Sequence, residues 1–192
     1  MRYFSRVICF TALSLVAAPL SQAAAEQDGT ARKALQTDEE KIANALSAAP
    51  ETIGQDAAVV IFDQGQMHTL REGTNNFTCL PDNPKNPIND PLCVDENGLE
   101  WVKARVAKKE PPAGKIGFAY MLQGGTTANN ADPSAAEPPA GTPWHKEPPH
   151  VMILNAASTM QGYPRPGVDP DRTHPWVMFP DSPYEHLMLP VE

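Results

Sequence analysis

Proline is the feature that most restricts what this chain can fold into. The 192-residue sequence holds 21 prolines, and 19 of them follow residue 80. Proline fixes φ and has no backbone N–H, so it is excluded from helix interiors and from central strands. The second half of the chain is therefore predicted to form short strands separated by long, proline-rich loops, with little helix.

Two segments carry helix signals. The segment 37–49, "TDEEKIANALSAA", begins with a capping box of Thr37 and Glu40, and its apolar residues fall on one side. It ends before Pro50. The segment 95–110, "DENGLEWVKARVAKKE", has acids at its start and lysines at its end, the arrangement that the helix dipole favours.

Six short strands are predicted from runs of β-branched and apolar residues. The segments 57–63 and 66–73 are separated by a turn at Gly65 and are expected to form a hairpin. The other four strands are predicted at 115–122, 149–154, 175–179 and 185–191. Two helices and about six short, mainly antiparallel strands, joined by long proline-rich loops, indicate an α+β fold.

Residues 1–25 have the pattern of a secretory signal peptide. Arg2 and Arg6 precede an apolar stretch of 14 residues, and small residues follow it. Fourteen residues are fewer than the roughly 20 that a membrane-spanning helix needs. We expect cleavage after Ala23 or Ala25, and a periplasmic or secreted protein.

The rest of the chain is predicted to comprise a flexible leader at 26–36 and a single globular domain at 37–192. Removal of residues 1–25 leaves 13 basic and 23 acidic residues, a net charge of −10. Nucleic acids and anionic membranes bind basic surfaces, so neither is an expected partner. No second apolar run reaches spanning length, and no membrane insertion is expected after cleavage.

Two cysteines, Cys79 and Cys93, would remain after cleavage. An even number of cysteines in an exported protein indicates a disulfide. The segment between them contains four prolines and no apolar periodicity, so it is predicted to be a loop. Closing it could stabilise the fold by about 3 kcal/mol. A metal pair is the weaker alternative, because no third cysteine or histidine lies nearby.

Two strand segments near the C-terminus each contain His-x-Met. In "PPHVMILN" the pair is His150 and Met152, and in "YEHLMLPVE" it is His186 and Met188. Residues i and i+2 of a strand share one face. Neutral imidazole and thioether ligands together suit Cu(I), so these four residues are a candidate soft-metal site. The alternative is ordinary core packing, since methionine fills irregular cores.

Two Trp–His pairs lie on proline-rich loops. Trp144 precedes His145 in "TPWHKE", and His174 lies two residues before Trp176 in "THPW". With the two strand histidines they could line an aromatic pocket beside the loop 123–149, or they could clamp loops to the core. We take all six as candidate ligand-binding residues.

The stretches "LREGTNNFTCLPD", "DPLCVDENGLEW", "GFAYMLQGG", "PHVMIL" and "PYEHLMLPV" together resemble a group of uncharacterised exported bacterial proteins. The resemblance covers most of the chain from about residue 40 onward. It implies a periplasmic or secreted location, and it implies no activity, cofactor or catalytic residue.

The leading hypothesis is a non-enzymatic protein that binds a small molecule near the C-terminal His/Met/Trp strands and needs no cofactor. Copper binding is the alternative with a cofactor. A hydrolase or isomerase could use His150, His174 or His186 as its base, although no Gly-x-Ser-x-Gly nucleophile motif is present. A third class is an envelope-associated interaction protein, in which the same residues only pack.

Overall fold

In the part of the chain that the structure describes, two helices are followed by four short strands, a third helix and six more short strands. The computed structural model describes residues 34–156, 160–165 and 170–191. The predicted signal peptide and most of the predicted leader lie outside the described residues. The described residues belong to one compact unit, Arg32–Glu192. None of their helices is long and apolar enough to cross a membrane.

The helices are α1 at Asp38–Leu46, the single turn α2 at Glu51–Gly54, and α3 at Glu96–Val106. The ten strands are β1 at Ala58–Asp63, β2 at Gln66–Arg71, β3 at Phe77–Leu80, β4 at Leu92–Asp95, β5 at Gly117–Met121, β6 at Gly125–Thr127, β7 at His145–Glu147, β8 at His150–Leu154, β9 at Trp176–Met178 and β10 at His186–Pro190.

Eight strands form one sheet in the order β2-β1-β3-β4-β5-β8-β10-β9, while β6 and β7 pair separately. The β1–β3 pair is parallel, and every other pair between neighbouring strands is antiparallel. The predicted α+β class, mainly antiparallel, is confirmed. The predicted hairpin is also observed, as β1 and β2.

The expectation of about six strands and two helices was wrong, because the described residues alone form ten strands and three helices. β3 and β4 are four residues long and flank the proline-rich loop, where no alternation of apolar residues is visible. β6 and β7 are three residues each and lie inside the segment interpreted as a loop. Segments this short are strands because of their partners, not because of a local pattern.

Both predicted helices have capped starts: the capping box of α1 was predicted, and α3 has a cap that the sequence analysis did not name. At α1, the Thr37 hydroxyl accepts from the Glu40 N–H at 3.1 Å, and Glu40 completes the capping box. At α3, one carboxylate oxygen of Asp95 accepts from the Gly98 N–H at 2.7 Å and from the Phe118 N–H at 3.0 Å. Asp95 therefore caps α3 and ties its first turn to β5.

A close backbone contact reinforces this junction. A Cβ added at Gly117 would lie 2.4 Å from the backbone nitrogen of Gly98, so only glycine fits there. The helix start is thus held directly against β5. This position sets where the rest of α3, including Trp101, meets the sheet.

The disulfide is confirmed. Cys79 and Cys93 are directly opposite each other in the β3–β4 pair, are joined, and are fully buried. They pack against buried alanines of the α1 region, including Ala45 and Ala48. The disulfide therefore closes the proline-rich loop and is itself part of one of the two main apolar clusters.

The other main cluster lies between α3 and one face of the sheet. On β8, His150, Met152 and Leu154 are buried, while the alternating Val151 and Ile153 are partly exposed. On β10, His186 and Met188 are buried on the same side. The larger core is thus built around the two His-x-Met segments.

Replacement of Asp95 tests the junction between α3 and β5. We expect Asp95→Ala to lower the free energy of unfolding by about 2 kcal/mol, because it removes the cap of α3 and an acceptor for β5. Asp95→Asn keeps an oxygen in place and should lose about 0.5 kcal/mol or less. Urea unfolding measures both, and equal losses in the two variants would contradict this role for Asp95.

Candidate ligand-binding cavity

A cavity of about 430 Å³ lies between α3, the β8–β10–β9 face of the sheet and the loops that precede β4 and β7. Its walls are mainly apolar. The apolar side chains that line it include Leu80, Leu92, Trp101, Met121, Trp144, Met152, Met178, Phe179 and Met188. The polar ones include Lys85, Asn86, Asp90, Arg105, Thr126, Thr127, Glu147, His150 and His186.

Strand register brings the methionines together. His186 is directly opposite Met178 on β9, and Met188 is directly opposite Met152 on β8. Directly opposite side chains lie on one face with Cβ atoms about 5 Å apart. The His and Met of each segment share a face, as expected for residues i and i+2, and the register places both pairs on the same face, which forms the floor of the cavity.

Each strand histidine is oriented by a main-chain carbonyl. The Nδ1 of His150 lies 2.7 Å from the Pro148 oxygen, and that of His186 lies 2.9 Å from the Tyr184 oxygen. A carbonyl oxygen only accepts, so Nδ1 carries the proton in both rings. Each Nε2 then keeps its lone pair, and both Nε2 atoms are buried without a hydrogen-bond partner.

Burial keeps both imidazoles neutral. It lowers the pKa of His186 to about 3, aided by the nearby positive charge of Arg105 and opposed by the bond to Tyr184. It also lowers the pKa of His150. At neutral pH each Nε2 is therefore a hydrogen-bond acceptor or a metal ligand, and not a donor.

A donor without a partner lies close to these acceptors. The indole Nε1–H of Trp101 is also buried and makes no hydrogen bond. The Trp101 and His186 rings are 5.5 Å apart and nearly perpendicular, and the centre of the Phe179 ring is also 5.5 Å from that of His186. The wall near α3 thus combines one donor and one acceptor within aromatic surroundings.

Two of the charged groups in the lining, Arg105 and Asp90, have shifted pKa values. The Arg105 guanidinium lies over the rings of Phe179, at 5.3 Å, and Trp101, at 5.9 Å. The residue is exposed to solvent, yet desolvation by the neighbouring protein atoms lowers the pKa of its guanidinium. On the loop side, burial raises the pKa of Asp90 to about 7.

The structure brings together some of the predicted ligand-binding residues and separates others. Trp144, His150 and His186 line the cavity. His145 does not line it: its Nδ1 lies 3.5 Å from an Arg172 nitrogen. His174 and Trp176 line a different concavity, and the sequence could not show that these loops diverge.

The sequence analysis missed the contributions of Trp101, Arg105, Phe179 and Asp90. One signal was available, because Trp101 and Arg105 are four residues apart in a predicted helix and so share a side of it. The positions of Asp90 and Phe179 depend on loop conformations that have no sequence signature of their own.

The predicted metal set does not surround one point. Among the described residues, no three His, Cys, Asp or Glu side chains are grouped to hold a metal ion. His150 is opposite Pro190, whereas His186 is opposite Leu154, four positions further along β8. That offset is about 13 Å along the strands and disfavours one ion bound by both histidines.

One histidine has the carboxylate partner that the enzymatic alternative requires. The Nδ1 of His174 lies 3.1 Å from an Asp171 oxygen, and the Asp171 carboxylate also accepts from the Thr173 hydroxyl. Both side chains of the pair are about 70% exposed to solvent (71% and 67%). Neither residue lines the cavity described above. Catalysis at this pair stays a hypothesis.

The depressed pKa of His186 gives a test of its burial. An unfolded histidine is protonated below about pH 6.5, whereas His186 stays neutral until about pH 3. Because only the unfolded state takes up this proton, the free energy of unfolding decreases as the pH falls below about 6.5. Between pH 7.5 and 5 we expect wild type to lose about 2 kcal/mol more unfolding free energy than His186→Phe.

Urea unfolding at a series of pH values measures this difference. Replacement of the exposed His68 by Gln controls for the loss of an imidazole. A His186→Phe curve parallel to wild type across the same range would show that His186 is not buried as a neutral ring.

Comparisons of the chain with protein-family models, with curated proteins and with solved structures found no match.

Proposed function

We propose that this protein is a non-enzymatic binding protein that holds a small, largely apolar molecule with one or more hydrogen-bonding groups. The observation that carries the proposal is a set of buried polar atoms without partners in the wall of an apolar cavity. These atoms are Nε2 of His150, Nε2 of His186 and Nε1 of Trp101. Each costs about 1–3 kcal/mol when left unsatisfied, and a bound ligand would remove that loss.

The chemistry of these atoms favours a hydroxyl group on the ligand. A hydroxyl can donate to the His186 Nε2 and accept from the Trp101 Nε1–H at the same time. The methionines that line the cavity are flexible and polarisable, so they adapt to different apolar shapes. A volume of about 430 Å³ is within the range of small-molecule sites.

The state of the two histidines supports binding over catalysis in this cavity. A general base works best when its pKa is near the working pH. Burial lowers the pKa of His186 to about 3 and also lowers that of His150. Both rings are oriented by neutral carbonyls, so neither has a carboxylate that would stabilise an imidazolium.

We also propose that the protein is exported to the periplasm or secreted, as its resemblance to a group of exported bacterial proteins implies. The signal-peptide pattern of residues 1–25 supports this. The buried Cys79–Cys93 bond supports it too, because disulfides persist in oxidising compartments.

Cu(I) binding is a second candidate, and His186 is the residue that favours it. Ligating histidines usually donate Nδ1–H to a carbonyl or carboxylate, as His186 does. Met178 is directly opposite, and Met188 is on the same face of the same strand. The positive charge of Arg105 in the same wall opposes a cation, so we rank this candidate below the small molecule.

A neutral apolar fluorophore tests the proposed function. We expect N-phenyl-1-naphthylamine to bind saturably, with a rise in its emission. Ala135 is half-buried in the cavity wall, so Ala135→Trp should fill the space and weaken binding at least tenfold. Ala140→Trp is the matched control, because Ala140 is exposed on the same loop and does not line the cavity.

Two outcomes would contradict the proposal. One is the absence of saturable binding to wild type. The other is an equal effect of the two tryptophan variants, which would place the fluorophore elsewhere. If the protein binds Cu(I) stoichiometrically and does not bind the fluorophore, the result would favour Cu(I) binding as its function instead.

A further inference from the structure

We infer that the cavity selects an anion: a small apolar molecule whose carboxylate or related acid group contacts the guanidinium of Arg105. The inference rests on the proposed function and adds the chemical class of the ligand.

Arg105 is held in place by stacking, and Asp90 acts on it electrostatically without forming a salt bridge to it. Its guanidinium lies over the faces of two rings, Trp101 and Phe179, at 5.9 and 5.3 Å. Within the described ranges, no hydrogen bond or ion pair joins it to another residue. An arginine stacked in this way keeps the N–H groups of its edge free, and that edge matches the two oxygens of a carboxylate.

The other charges of the wall leave a positive balance. Glu147 is neutralised by Arg172, with a nitrogen–oxygen distance of 3.0 Å. Lys85 adds a second cation to the lining. Asp90 accepts from the Asn83 N–H at 3.1 Å, and burial raises its pKa to about 7, so its negative charge is only partial at neutral pH.

The surroundings of Arg105 strengthen its attraction for an acid. Charges interact more strongly where aromatic and thioether groups displace water. Trp101 and Phe179 form the surface beneath the guanidinium, and Met178 lies opposite His186 on the adjoining floor. An acid group at Arg105 would therefore lead directly into an apolar space, which suits a molecule with one charged end.

Two fluorophores with the same aromatic skeleton separate charge from apolar binding. N-phenyl-1-naphthylamine is neutral, and 1-anilinonaphthalene-8-sulfonate is the same skeleton with one sulfonate. We expect wild type to bind the sulfonate at least tenfold more tightly. We expect Arg105→Met to weaken sulfonate binding at least tenfold more than it weakens binding of the neutral fluorophore, so that the preference for the sulfonate is lost.

Three further variants define the site of the effect. Arg105→Lys keeps a positive charge and should retain most of the preference for the sulfonate. Lys103→Met removes an exposed cation from the same helix, away from the cavity, and should change nothing. Ala135→Trp should weaken binding of both fluorophores, which shows that both occupy the cavity.

The outcomes distinguish this inference from the proposed function. If wild type binds neither fluorophore, both fail. If it binds the neutral one without preferring the sulfonate, or if Arg105→Met and Lys103→Met behave alike, the anion inference alone is overturned. A preference lost in Arg105→Met and kept in Lys103→Met supports it.

Discussion

The antiparallel pairing of β10 with β8 on one side and β9 on the other is the constraint on which the rest of the structure depends. It aligns Met188 with Met152 and His186 with Met178. A shift of β10 by one residue would turn His186 and Met188 to the opposite face of the sheet, away from Met152 and Met178. The floor of the cavity, the burial of the imidazoles and their neutral state all follow from this register.

The cavity departs from the rule that buried polar groups are paired. In most cores a buried imidazole or indole nitrogen finds a partner. Here three such nitrogens have none, although the carbonyls bonded to Nδ1 show that each histidine is otherwise well placed. The fold thus fixes the donors and acceptors in advance, as a binding site requires, and leaves their last hydrogen bonds to a ligand.

Local signals in the sequence were enough to predict the capping box of α1, the charge pattern of α3, the β1–β2 hairpin, the disulfide and the shared face within each His-x-Met pair. They were not enough for β3, β4, β6 and β7, whose few residues become strands only through distant partners. Nor could they show that Arg105 and Trp101 meet His186, because that contact depends on how α3 crosses the sheet. The separation of His174 from the cavity has the same cause, since loop paths are set by tertiary contacts.

The central claim is that the cavity presents neutral histidines with free Nε2 acceptors, and the most direct measurement is long-range ¹H–¹⁵N NMR of the imidazole rings. For His150 and His186 we expect the Nδ1–H tautomer at pH 7, with an unprotonated Nε2, and His186 should stay neutral at pH 5. A protonated Nε2 or a charged ring in His186 at pH 7 would contradict the account, because the cavity would then offer a donor where the structure provides an acceptor.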